Sequence, residues 1–171
     1  VCKSPLIYSY IGLRPLTHRE PIMEPINLFD MEAMAKLRLP RTYWDWVAGG
    51  VADEITILRN REAFEEISIR SRVLVDTTNR DLSTTILGHR ISFPVFACPA
   101  GTQWIAHPDA EIAVARAASA VGTLMAVPTG AHKTIENIAA ATTGPLWYQL
   151  YHITDDVTEY LVSKAKAAGY S

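Results

Sequence analysis

Along residues 27–37 the apolar positions Leu28, Met31, Met34 and Ala35 recur at helical spacing, on one face of a predicted helix. Asn27 stands where an N-cap belongs, and Pro40 ends the segment. A second short helix is predicted over residues 42–48 and stops at Gly49-Gly50. A third begins at Asp53-Glu54, whose acids suit a helix N-terminus, and runs through Ile57, Leu58 and Phe64. The period then shortens. Ile67-Ser68-Ile69-Arg70 alternates as a half-buried strand does. Residues 84–87, Gly88-His89 and residues 90–93 predict a β-hairpin around a Gly turn.

From residue 95 the rhythm is different. Short apolar runs at 95–98, 123–127 and 146–151 alternate with helical stretches at 108–121, 134–141 and 154–168. Gly122 stops the first of these helices. Asp155 and Asp156 open the last one, and Lys164, Lys166 and Gly169 close it, in keeping with the helix dipole. Apolar runs without alternation belong to strands buried on both faces, as in parallel sheets joined by right-handed crossovers. The runs start 28 and 23 residues apart, a spacing that suits a TIM barrel as well as a doubly wound sheet. Three such units cannot close an eight-stranded barrel of about 250 residues, so the chain is expected to be incomplete.

Composition narrows the class. The 171 residues are 49% hydrophobic and 20% charged with a net charge of −2, ordinary for a globular protein and without the basic surface a nucleic acid needs. No apolar stretch approaches the roughly 20 residues of a membrane helix. Residues 1–22 carry Pro5, Pro15 and Pro21, no helical period and no long apolar h-region. They are expected to be an extension or disordered arm, with Met23 as the natural start and residues 23–171 as the domain. The spacing of Cys2 and Cys98 fits neither a metal knuckle nor a redox pair. Cys98, in an apolar run, reads as a small buried hydrophobe, and a reducing, cytoplasmic setting is the expectation.

In parallel α/β folds ligands bind at the C-terminal ends of strands. The first run ends at Pro99-Ala100-Gly101-Thr102, which is either a plain Gly turn or a place where a flat ligand meets open backbone. The second ends at Pro128-Thr129-Gly130. The third ends at Gln149-Leu150-Tyr151, where alternation sends Gln149 and Tyr151 to one side. That amide and phenol either satisfy buried neighbours or bind a heterocycle and an anion. Trp44 and Trp46 read first as packing residues. His107 reads as a helix cap, and His132 and His152 lack an acidic or Cys partner at ligand spacing, so no metal site is expected.

Taken in order, several segments resemble the FMN-dependent α-hydroxy-acid oxidases and dehydrogenases, the family of glycolate oxidase and lactate oxidase. They are Leu39-Pro40, Trp44-Asp45-Trp46, Gly50-x-x-Asp53-Glu54 and Asn60-Arg61-x-Ala63-Phe64. Residues 80–88, Ala106-His107-Pro108-Asp109-Ala110-Glu111, Ala115-Arg116-Ala117-Ala118 and Gln149-Leu150-Tyr151 complete the series. The resemblance implies about the first three βα units of a TIM barrel, preceded by a helical cap and a small hairpin. It implies FMN as cofactor and a small α-hydroxy acid as substrate, and for the whole protein a homo-oligomer, often a tetramer. Pro99, Ala100 and Gly101 would lie against the flavin ring near its reactive nitrogen. Gln149 would bond its pyrimidine part, and Pro128 would stand at the flavin contact after the second strand. Tyr151 and Trp46 would face the substrate.

Three positions depart from the family pattern. Trp46 replaces a Tyr, Pro128 replaces a frequent Ser, and Gly130 replaces an aromatic residue, changes that imply a different or larger substrate. The family's flavin-binding Lys, base His, substrate Arg and phosphate-binding loops would all fall beyond residue 171. No catalytic residue is therefore expected within these residues, and this chain alone is expected to be inactive. The alternative reading is a non-catalytic half-barrel that binds flavin or a partner chain.

Overall fold

The structure, a computed structural model, describes residues 24–171. The expected arm at residues 1–22, the Met23 start and Cys2 lie outside the described residues. The chain divides into two compact units, one ending at Asp76 and the other spanning Thr77–Ser171.

The first unit holds α1 (Leu28–Arg38), α2 (Arg41–Ala48) and α3 (Ile55–Glu65). Asn27 caps α1 as its sequence position predicts: its side-chain oxygen accepts the N–H groups of Phe29 at 2.8 Å and Asp30 at 3.1 Å. Asp30 accepts the Ile26 N–H at 2.9 Å in return. Pro40 both ends α1 and stands at the N-cap of α2. The acids expected in the first turn of α3 precede it instead. Glu54 takes a left-handed φ of 58° and offers the helix no side-chain cap. Its Oε1 accepts the Gly50 N–H at 3.0 Å, so it braces the turn before the helix. The strand expected at residues 67–70 does not form, and Ile67 and Ile69 are exposed. Alternation marks a segment that could line a sheet face, but a strand also needs a neighbour to share its ladder, and none is present among the described residues.

The second unit begins with the hairpin. β1 (Thr84–Ile86) and β2 (His89–Ile91) pair antiparallel in the register Thr84↔Ile91 and Ile86↔His89. That register leaves a two-residue turn in which both Leu87, φ 46°, and Gly88, φ 85°, are left-handed, as a type I′ hairpin requires. Glycine meets this demand freely, whereas leucine is strained by it.

The parallel ladder comes next. β3 (Met125–Val127) pairs with β4 (Leu146–Tyr148) in the register Met125↔Leu146. The strand expected at residues 95–98 shrinks to a single bridge, Ala97 to Met125. The Ala97 N–H donates to Leu124 O at 3.1 Å, and its carbonyl accepts from Ala126 N at 2.9 Å. Two residues either side of Ala97 the ladder finds no donor: Pro99 lacks an N–H, and the Val95 N–H is taken by Phe93 O at 2.8 Å. Cys98 is exposed and free, correcting the expectation that it is buried. It follows Ala97, whose side packs on the core, so alternation turns the thiol to the opposite face.

Helices α4 (Glu111–Ala120), α5 (Ile135–Ala140) and α6 (Asp155–Ala167) cover one side of this ladder. The helix α4 starts later than its pattern suggests, because a 3-10 turn occupies Gln103–Ile105 and Ala110 sits at φ 46°, ψ −126° just before it. Thr134 caps α5 by accepting the Asn137 N–H. Ala115 and Ala118 of α4, Met125 and Val127 of β3, Ile138, Leu146, Ala165 and Tyr170 form the core. On the opposite face the Trp147 ring meets Phe96 edge-on at 5.4 Å and His89 of the hairpin at 6.4 Å. Two contacts pin α5 to the end of α6. Lys164 Nζ lies 2.9 Å from Glu136, and the Tyr170 hydroxyl donates to Ile135 O at 3.0 Å. The Ser171 N–H donates to Leu146 O at 3.1 Å, so the chain runs back along the edge of β4 away from β3.

This packing can be probed at two positions. Replacing the strained Leu87 by Asn should raise stability by about 1 kcal/mol, read as a higher midpoint in urea unfolding. Burial, with Tyr148 and Glu136 nearby, pushes the Tyr170 phenol above its ordinary value of 10.0. The folded chain therefore keeps a proton that the unfolded chain releases, and stability present below pH 10 is lost as the pH rises beyond it. Tyr170→Phe should cost about 1 kcal/mol at neutral pH and flatten the alkaline loss, measured by urea unfolding on either side of that pH.

Candidate functional site

The C-terminal ends of the three parallel segments lie in a row, and the loops leaving them carry most of the residues singled out in the sequence. At the first, Pro99, Ala100 and Gly101 are all exposed, as open backbone should be if a flat group is to lie on it. The loop is not slack. Gln103 Nε2 donates to Ala100 O at 2.9 Å, and Thr102 holds a left-handed φ of 61° between them. A Cβ on Gly101 would stand 3.6 Å from Gly130 O, so the first and second loops touch through two glycines. A Cβ on Gly130 would meet nothing within 4 Å, which leaves open space on that side.

At the second strand end Pro128 is buried, and Thr129 organises the loop beyond it. The Thr129 hydroxyl donates to the carbonyl of Gln149 and accepts the Tyr151 N–H at 2.9 Å. One side chain thus clips the β3 loop to the segment leaving β4, just past the last ladder bond, Gln149 N to Val127 O at 2.8 Å. Gln149 is half-buried, and its carboxamide makes no hydrogen bond among the described residues. Tyr151, 62% exposed, is held through its backbone, whose N–H the Thr129 hydroxyl accepts.

Glu111 adds a second tie between the first and second loops. It is fully buried at the start of α4, and its Oε2 accepts the Lys133 N–H at 3.2 Å while Oε1 has no partner among the described residues. The Trp104 and His132 rings meet at 5.9 Å across the same two loops. His107 Nδ1 accepts the Asp109 N–H at 3.1 Å, the local capping role expected of it. His152 does have an acidic neighbour, contrary to the sequence expectation: its Nε2 lies 3.0 Å from Asp155, one helical turn away at the start of α6. Among the described residues no three His, Cys, Asp or Glu side chains gather to hold a metal.

Trp46 belongs to the helical unit, where it stands on α2 and is 63% exposed, so it does not pack as tryptophan usually does. Trp44 is half-buried, with Lys36 Nζ 5.6 Å from its ring centroid. Thr129, Gln103 and Glu111 went unnoticed as site residues in the sequence. The only signal was position: a hydroxyl between Pro128 and Gly130, an amide two residues after a Gly loop, and an acid at a helix start.

The arrangement suits a planar heterocycle. Exposed backbone at residues 99–101 offers a flat surface, and an unpaired carboxamide supplies a donor and an acceptor side by side, the complement of a ring edge carrying N–H and C=O. The chain's residues therefore fit an isoalloxazine. If Thr129 sets this edge, Thr129→Val should cost about 1–3 kcal/mol, because the Gln149 carbonyl and Tyr151 N–H lose one shared partner, whereas Thr129→Ser should restore most of it. Urea unfolding of the three proteins checks this.

Comparison with known proteins agrees with that chemistry. The family model described as FMN-dependent dehydrogenase matches residues 35–171. Glycolate oxidase of Spinacia oleracea is 43% identical over 149 residues, which cover 86% of this chain and 40% of that protein. Glycolate oxidase 1 of Zea mays is 42% identical over 148 residues, with the same coverage of 86% and 40%. The chain thus spans about 40% of the length of the curated relatives it matches. Among solved structures, a soluble mutant of the membrane-associated (S)-mandelate dehydrogenase from Pseudomonas putida superposes with a TM-score of 0.83 at 33% identity, over 86% of this chain and 42% of that one. Mandelate oxidase superposes with a TM-score of 0.80 at 35% identity, over 85% of this chain and 44% of that one.

Proposed function

Because the chain belongs to the FMN-dependent dehydrogenase family, we propose that the whole protein oxidises an α-hydroxy acid to the 2-oxo acid. The relatives named above act on such acids by their names, glycolate and mandelate. FMN, when bound, supplies the acceptor for the hydride equivalent leaving the α-carbon. The observation that carries the reading is the unpaired, half-buried carboxamide of Gln149 in the same row of strand ends as the open backbone of residues 99–101.

In this reading the chain supplies binding and orientation. Pro99, Ala100 and Gly101 present backbone to the flavin ring, and Gln149 bonds its pyrimidine edge. Pro128 packs beneath and cannot offer a side-chain donor, so Thr129 and the backbone set that part of the pocket. Tyr151, exposed beside Gln149, offers its phenol to the substrate carboxylate or α-oxygen. Gly130 leaves room where a larger residue would close the pocket, which favours a substrate bulkier than glycolate. Ala97, β3 and β4 with α4, α5 and α6 would be the first three units of a (β/α)8 barrel. The base His and carboxylate-binding Arg are expected outside these 171 residues.

The test is flavin content and flavin reduction in the whole protein. It should purify yellow, release FMN on denaturation, and bleach when mixed anaerobically with an α-hydroxy acid. Gln149→Ala should weaken FMN binding about tenfold, by titration of the stripped protein. A colourless protein that takes up no FMN would overturn the reading.

A further inference from the structure

The opposite end of the parallel segments, where the chain enters β3 and β4, holds a groove that the flavin reading does not use. The hairpin, the end of α4 and the residues just before the two strands enclose about 450 Å³. That is the size of a small-molecule site and far more than one water needs. Two charged side chains line it, Asp81 and Arg90. Arg90 Nη2 donates to Ser83 Oγ at 2.8 Å, and the Ser83 N–H donates to Asp81 at 2.8 Å, so one serine holds both groups in place. Hydrogen bonds from Ser83, with Arg90 nearby, hold the Asp81 carboxyl below its usual range, which makes it a carboxylate at neutral pH. Among the described residues the two charges form no direct ion pair, and a guanidinium with five donors keeps several to spare.

The floor of the groove carries hydroxyls. Thr123, only 6% exposed, donates to Val95 O and keeps its oxygen lone pairs as acceptors. Two glycines make room for two serines beside it. A Cβ on Gly122 would collide with the Ser92 hydroxyl, and a Cβ on Gly144 would press on Ser119 Oγ at 3.2 Å. Ile91 and Pro145 are the only apolar side chains among the lining residues, so a flat ring or an acyl chain has little to lie on.

We propose that this groove binds a small zwitterion, a free amino acid, with its carboxylate on Arg90 and its ammonium on Asp81. A simple anion would meet Arg90 but also Asp81 and the C-terminal end of α4, which carries partial negative charge. A simple cation would suit Asp81 and that helix end but would meet Arg90. A neutral polyol would use the hydroxyls and leave both charges uncompensated. Only a ligand with both charges matches both walls. Nothing in this groove depends on the flavin reading.

The experiment is calorimetric titration of the whole protein with glycine, acetate, methylamine and glycerol. Glycine should saturate one site per chain with a Kd on the order of 1 mM, as two charge-assisted contacts at an exposed groove allow. Acetate and methylamine, each with one of the two charges, should bind about tenfold more weakly, and glycerol more weakly still. Arg90→Gln and Asp81→Asn should each weaken glycine binding about tenfold. Both side chains are exposed, so each variant is expected to fold. A protein that takes up no glycine would overturn the proposal. So would glycine binding that neither variant changes, which would put the ligand elsewhere. Acetate or glycerol bound as tightly as glycine would overturn the zwitterion and leave an anion or polyol site.

Discussion

The parallel hydrogen-bond ladder through Ala97, β3 and β4 decides which way every neighbouring side chain points. Once Met125 pairs with Leu146 and Val127 with Tyr148, alternation commits Met125, Val127, Leu146 and Tyr148 to the side covered by helices. Trp147 is committed to the other side, where it meets Phe96 and the hairpin's His89. Gln149 continues that second series past the last ladder bond. A register slip of one residue would exchange this series for the core series. Site and core are thus two consequences of one pairing.

What the ladder leaves loose, single side chains secure. Thr129 joins the second and third strand ends with one hydroxyl, and Glu111 with the Trp104–His132 rings joins the first and second. Between Gly101 and α4 the first loop holds two residues in sparsely populated backbone regions, Thr102 and Ala110. Such residues cost about 1–3 kcal/mol each and persist where the surroundings over-determine them. Here buried Ile105 and the fully buried Glu111 supply that constraint.

The helical unit is built on other terms. Its three helices bury no residue, and Leu28, Leu37 and Phe64 stay exposed. Its contacts include two local ones, the Asn27 cap and the Glu54 brace on Gly50, and one between α1 and α3, where Arg61 lies 4.1 Å from the Phe29 ring centroid. Local hydrogen bonds and cation–π contacts of this kind contribute about 0.5–1 kcal/mol each at exposed positions, enough to set helix ends but not to build a core.

The sequence by itself determined the elements whose causes are local. Asn27 is a cap, Gly122 ends a helix, Gly88 makes a hairpin turn, and the apolar runs at 123–127 and 146–151 carry β3 and β4. Each depends on residues a few positions apart, so each is legible in a linear string. At the candidate site the apolar run at 146–151 overshoots β4, which ends at Tyr148, so the alternation that put Gln149 and Tyr151 on one side was read past the end of the strand. Only the tertiary structure decided the rest. Residues 67–70 have a strand's pattern and no partner among the described residues, residues 95–98 have an apolar run that forms a single bridge, and Cys98 is exposed in spite of its apolar neighbours. Thr129 and Gln103 gained their roles the same way: a hydroxyl or amide looks alike anywhere in a sequence, and becomes a clip or an anchor only when folding brings an unpaired carbonyl within its reach.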